Sequence, residues 1–168
     1  NPSTWAQEAK NAGMKYFVVT SKHHDGFCLW DSAYTDYKAI NTPAKRDLLK
    51  PMVNAFRSEG LKVGFYHSVI DWHHPEFSVD GFHPMREDVE YRTASQSRDI
   101  TKYREYLHSQ TNELLTQFGK LDLMWFDFSY SNRDWGWAKG KGKAEWDSER
   151  LMAMVREKQP NVLVNDRR

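Results

Sequence analysis

Residues 21–30, SKHHDGFCLW, set His23, His24 and Asp25 side by side directly after the apolar run KYFVVT. Histidine pairs ligate metals, hold polar substrates or shape loops. Three other places have the same character: an apolar run closing on residues that can do chemistry. KVGFYHS brings Tyr66 and His67, followed by DWHHP with Asp71, Trp72, His73 and His74. LDLMWFDF brings Asp127, and NVLVNDRR brings Asn165, Asp166, Arg167 and Arg168.

Asp127 is the sharpest of these signals. A carboxylate directly after Leu-Met-Trp-Phe must leave an apolar wall and face an open end. A lone aspartate there can equally cap a helix or order a loop. The His, Tyr and Arg residues at the other run ends favour chemistry, because an ionised carboxylate among donors and aromatic rings suits attack on a positively charged sugar carbon. A metal-dependent hydrolase and a sugar-binding module without catalysis are the competing readings. Adjacent residues near a strand end point in different directions, so His23-His24 alone is a poor chelate. Zinc or iron would need Asp127 or His73 as further ligands. Neutral imidazoles, each with one donor and one acceptor, grip vicinal hydroxyls equally well. The plainest reading makes one of the two a core histidine and the other a loop histidine. His73 and His74, with Pro75 after them, can merely shape a loop; Tyr66 can pack, and Arg167 can pair with Asp166.

These residues need elements to hold them. Four apolar runs, 15–20, 62–68, 121–128 and 161–166, lack clean alternation, as expected of parallel strands covered on both faces. A helical pattern precedes each. TWAQEAKNAG, capped by Ser3 or Thr4, stops at Gly13, and RDLLKPMVNAFRSEG stops at Gly60. Pro51 is tolerated only within the first turn of that second helix. Residues 97–119 form the longest helix, and 146–160 the last, capped by Asp147 or Ser148. Alternating helix and strand predicts a parallel sheet with helices outside. The long segments 21–45, 68–96 and 128–145 all follow strand ends, which in a (β/α)8 barrel is the active-site face. No G-x-G-x-x-G follows any strand, so no dinucleotide cofactor is called for. GKGKAEW (140–146) reads as a surface loop.

The composition agrees with a ligand that has flat or apolar faces. Aromatic residues reach 14%, with seven Trp, eight Tyr and nine Phe among 168 residues. Rings pack cores and also stack on sugars. A net charge of +1 gives no reason to expect nucleic acid or an anionic membrane as partner. No run approaches the roughly 20 apolar residues of a membrane span. The single Cys28 cannot form an internal disulfide, which fits a reducing compartment without fixing the localisation.

Taken together, SKHHDGFCLWDSAYTDYKAINTPAKRDLL, VGFYHSVIDWHHP, LMWFDF and EWDSERLMAMVREKQPNVLVNDR resemble the retaining α-L-fucosidases of glycoside hydrolase family 29, over nearly the whole chain. The resemblance implies a (β/α)8-like barrel and a fucosylated oligosaccharide or glycoconjugate as substrate. It implies Asp127 as the nucleophile that forms a covalent fucosyl-enzyme, which water releases with retention. It also implies His23 and His24 on the sugar hydroxyls, Tyr66 beside the nucleophile and Arg167 orienting the carboxylates. Trp30 and Trp72 are candidates for a wall against the C6 methyl. Tyr66-His67-Ser68 stands where the family commonly has Tyr-Tyr-Ser.

Four strands are half of a barrel that typically needs about 250 residues. The sequence therefore reads as an internal part of one catalytic barrel domain, residues 1–168, that carries the nucleophile. A strand with another sugar-binding histidine is expected before Asn1, and the acid/base carboxylate beyond Arg168. Asp166 is the one in-chain substitute for that acid/base at a strand end, and a poor one.

Overall fold

The computed structural model describes residues 1–166. Helix α1 spans Pro2–Asn11, with proline where no amide is needed. Its cap is Asn1, whose side chain accepts from the Ser3 amide, and neither Ser3 nor Thr4 has that role. Strand β1 (Tyr16–Lys22) follows. Helix α2 (Leu49–Ser58) opens under the Asp47 carboxylate, which accepts from the Leu49 and Lys50 amides at 2.8 Å. Pro51 therefore falls in the first turn, where a missing amide costs nothing. Strand β2 (Lys62–Ser68), a short helix α3 (Val89–Ala94) and the long α4 (Ile100–Gln117) come next. The chain closes with β3 (Leu123–Asp127), α5 (Lys143–Trp146), α6 (Ser148–Lys158) and β4 (Leu163–Val164).

The four strands form one parallel sheet in the order β1-β2-β3-β4, matching part of a (β/α)8 barrel. One face carries Phe17, Val19, Val63, Phe65, Met124 and Phe126, packed with apolar residues of α1, α2, α4 and α6 in a single core. Phe17 stacks on Phe56 at 3.7 Å. The other face carries Tyr16, Val18, Gly64, Leu123, Trp125 and Leu163 around a hollow of about 770 Å³. Tyr66 and Asp127 share its alternation, two residues beyond Gly64 and Trp125.

Two further sequence expectations need correction. Strand β4 is shorter than 161–166 because the Asn165 side chain replaces the backbone: its amide accepts from Phe126 N at 2.9 Å and donates to Phe126 O at 2.7 Å. GKGKAEW is no surface loop. Trp146 and Lys141 are buried, and the Lys141 ammonium pairs with buried Asp80, which also accepts from Tyr130 Oη at 2.6 Å. A side chain at Gly140 would start 1.9 Å from the Tyr130 carbonyl, so only glycine lets the segment approach.

Candidate active site

The site begins with a break in register. Thr20 pairs with Tyr66 and Lys22 with His67, so Ser21 is a bulge between them. Bulges re-aim the side chains that follow. Here the result is that Ser21 and Lys22 both point inward and are wholly buried, while His23 emerges at the strand end. Ser21 Oγ donates to the Tyr66 carbonyl at 2.9 Å and lies 2.9 Å from His67 Nδ1. His67 is thereby committed to the interior.

Lys22 meets Asp71 at 3.2 Å, with both side chains buried. Its ammonium also lies 4.9 Å from the Tyr106 ring centroid. Asp71 Oδ2 accepts from Tyr106 Oη at 3.2 Å, and Oδ1 from the His73 and His74 amides at 3.0 and 2.9 Å. Gly26, at φ +81°, packs against this carboxylate so closely that a Cβ would stand 2.2 Å from Oδ1. The Trp72 amide donates to the His24 carbonyl at 2.8 Å. One buried carboxylate thus ties the loop after β1 to the loop after β2.

On that footing the predicted side chains converge. Tyr66 Oη donates to Asp127 Oδ2 at 2.8 Å. The His23 ring stacks on Tyr66 with centroids 5.4 Å apart and planes within 9°. His23 and His24 rings lie 4.0 Å apart. His24 Nδ1 is 2.7 Å from Ser68 Oγ, and its ring meets Trp72 edge-on at 5.3 Å. Burial, reinforced by His23, pushes the His24 imidazole down to about 4, against smaller opposing pulls from Asp127 and Asp25. His24 is therefore neutral at pH 7.

One predicted residue stands elsewhere. Trp30 is wholly buried and spends its indole N–H on Glu113 Oε2 at 2.9 Å, so it packs the core and forms no wall of the site. Arg167 lies outside the described residues. His73 stacks on Tyr37 at 4.1 Å and belongs to the loop. Among the described residues no three His, Cys, Asp or Glu side chains gather as a metal-holding group.

Phe128 is the addition that sequence reasoning missed. It follows Asp127 with φ +86°, a conformation that L side chains rarely adopt, and its ring contacts His24 at 4.9 Å and Phe82 at 5.1 Å. The strand therefore turns sharply just past the carboxylate. Nothing in a Phe after W-F-D signals that turn.

The alpha-L-fucosidase family model matches residues 1–168. The chain belongs to the alpha-L-fucosidase family. These fucosidases are glycoside hydrolases. The chain is 31% identical over 164 residues to putative alpha-L-fucosidase 1 of Oryza sativa subsp. japonica, covering 95% of this chain and 26% of that protein. Alpha-L-fucosidase isoenzyme 1 from Paenibacillus thiaminolyticus superposes with a TM-score of 0.89 at 52% identity, covering 99% of this chain and 38% of that one. A GH29 alpha-L-fucosidase from Bacteroides thetaiotaomicron, a trapped covalent intermediate in complex with 2-fluoro-fucosyl fluoride, superposes at 0.79 with 32% identity, covering 99% and 34%. The chain thus spans about a quarter to two fifths of the length of these fucosidases.

Proposed function

We propose that this chain is the nucleophile-bearing part of a retaining α-L-fucosidase catalytic domain that removes terminal α-L-fucosyl residues from fucosylated glycans. The observation that carries the reading is the Tyr66 hydroxyl on Asp127 Oδ2, with the His23 ring stacked against the same tyrosine. A carboxylate that accepts from the Tyr66 hydroxyl is oriented for attack on a sugar carbon, and the adjacent imidazoles supply the polar grip that a sugar ring needs.

In this mechanism an Asp127 oxygen attacks C1 of the fucosyl unit as the C1–O bond to the leaving group breaks. A second carboxyl group protonates the departing oxygen. The same group then takes a proton from water, whose oxygen attacks C1 and frees Asp127, so two inversions give net retention. Retention needs the two carboxyl groups about 5–5.5 Å apart. Asp166, exposed two residues past the end of β4, is a poor choice for the second, and the resemblance to the family implies that the acid/base lies outside these residues. His23 and His24 bind sugar hydroxyls, Trp72 and His24 meet at the rim, and Arg167 orients the carboxylates.

The test uses an active enzyme that carries this chain. Asp127→Gly should lose turnover of an aryl α-L-fucoside by at least about a thousand-fold, the size expected when a nucleophile is removed. Added azide should then restore turnover and yield the β-L-fucosyl azide, because the small anion enters the vacated face. A D127G enzyme of near-normal activity would overturn the reading. The 168 residues by themselves should show no such turnover, and robust hydrolysis by them would contradict the assignment of the acid/base.

A further inference from the structure

Ser68 Oγ has three neighbours and one proton. It donates to the Ile70 carbonyl at 2.8 Å, accepts from the Ile70 amide at 3.1 Å, and lies 2.7 Å from His24 Nδ1. Ser68 and Ile70 are wholly buried, and among the described residues the Ile70 carbonyl receives no other hydrogen bond. If the hydroxyl proton turned to His24, that carbonyl would be left unpaired away from water, which buried backbone groups rarely are. The proton therefore stays on the Ile70 side, and the short contact to His24 requires the hydrogen to come from the imidazole.

We infer that Ser68 is a positioning residue that fixes His24 as the Nδ1–H tautomer, so that Nε2 presents a bare lone pair and selects a hydroxyl that donates. A neutral imidazole has one donor and one acceptor, and committing the donor to Ser68 leaves only the acceptor for a ligand. Nothing among the described residues occupies Nε2 with a hydrogen bond. The arrangement discriminates among sugars by proton count. A ring position bearing hydroxyl satisfies Nε2, whereas fluorine or an ether oxygen at the same position faces it lone pair to lone pair. The neutral state of His24 at pH 7 is consistent with this, since an imidazolium would donate from both nitrogens. That the donating hydroxyl belongs to fucose rests on the function proposed above; the tautomer does not.

Nitrogen-15 correlation spectra of a ¹⁵N-labelled active enzyme that carries this chain, recorded at pH 7, test the tautomer without any ligand. The expected result is a protonated Nδ1 and an unprotonated Nε2 for His24. A protonated Nε2 in the wild-type protein overturns the assignment, and this spectrum decides it whether or not any variant folds. Ser68→Ala should move His24 toward the Nε2–H form and Ser68→Thr should restore the original pattern; an unchanged tautomer in S68A would also overturn it. Titrating an active enzyme that carries the chain with fucose and its 2-, 3- and 4-deoxyfluoro analogues then reads selectivity. At least one analogue should bind the wild type tenfold or more weaker than fucose, and S68A should shrink that ratio while S68T keeps it. Equal ratios in wild type and S68A would remove the selecting role. Failure of fucose itself to bind, with the Nδ1–H tautomer seen, would count against the sugar site and leave the Ser68 assignment standing.

Discussion

Lys22 and Asp71 form an ion pair with essentially no access to water, 3.2 Å apart, beneath the histidine pair. Breaking such a pair by removing one charge leaves the other buried and uncompensated, which costs about 3–5 kcal/mol. Lys22→Met should therefore lower unfolding free energy in urea by that amount. Lys22→Met combined with Asp71→Asn should cost less than the single change, because no charge is stranded and the amide oxygen can still accept from the His73 and His74 amides. A single-variant loss below about 1 kcal/mol would show that the pair is not what fastens the two loops.

Trp30 gives a prediction of opposite kind. Its indole N–H and the Ala33 amide satisfy the two oxygens of Glu113, which is nearly buried. Trp30→Phe leaves one carboxylate oxygen without its donor and should cost about 1–3 kcal/mol of stability. In an active enzyme it should leave KM for an aryl fucoside within about twofold, well under the tenfold that 1.4 kcal/mol represents. A large change in KM with unaltered stability would return Trp30 to the sugar wall.

The fate of Trp30 shows what the sequence makes legible. The four strands, their preceding helices and the residues at strand ends could be read because apolar runs, glycine stops and motif position are local signals. Which tryptophan faces the sugar is not local. Trp30 and Trp72 have the same chemistry, and they part only because Glu113, far along the chain on α4, claims one indole while the Trp72 amide anchors to His24. The bulge at Ser21 was equally hidden, since nothing in V-V-T-S-K marks a register shift. Lys141 misled for the reverse reason: a Lys/Gly run looks solvated until its partner, Asp80, is found in another loop.

Acid should destabilise the fold early. Burial is the leading cause that holds His24 down near 4, His67 well below its ordinary 6.5, and His74, His83 and His108 below it as well. Below about pH 6.5 the unfolded chain takes up protons that the folded chain refuses, so unfolding gains ground as pH falls toward 4. The lowered carboxylates Glu105, Asp134 and Asp147 add loss of the same sign at still lower pH. The thermal midpoint should be level above pH 7 and fall steadily from pH 6.5 to 4.5. A midpoint that holds or rises over that interval would contradict the buried neutral histidines.

Tyr66→Phe removes the hydroxyl from Asp127 and leaves the ring against His23. A hydrogen bond to a charged group is worth about 1.5–3 kcal/mol, so kcat/KM should fall about ten- to hundred-fold. Unfolding free energy should change far less than activity does. Equal activity in Y66F would make the tyrosine a packing residue only.

The nucleophile itself can be caught. An active enzyme carrying these residues, treated with 2-deoxy-2-fluoro-α-L-fucosyl fluoride and digested, should yield one peptide heavier by a 2-fluorofucosyl group, with fragmentation placing the ester on Asp127 in LDLMWFDF. An ester on any other carboxylate, or turnover of the reagent with inversion, would contradict the account at its centre.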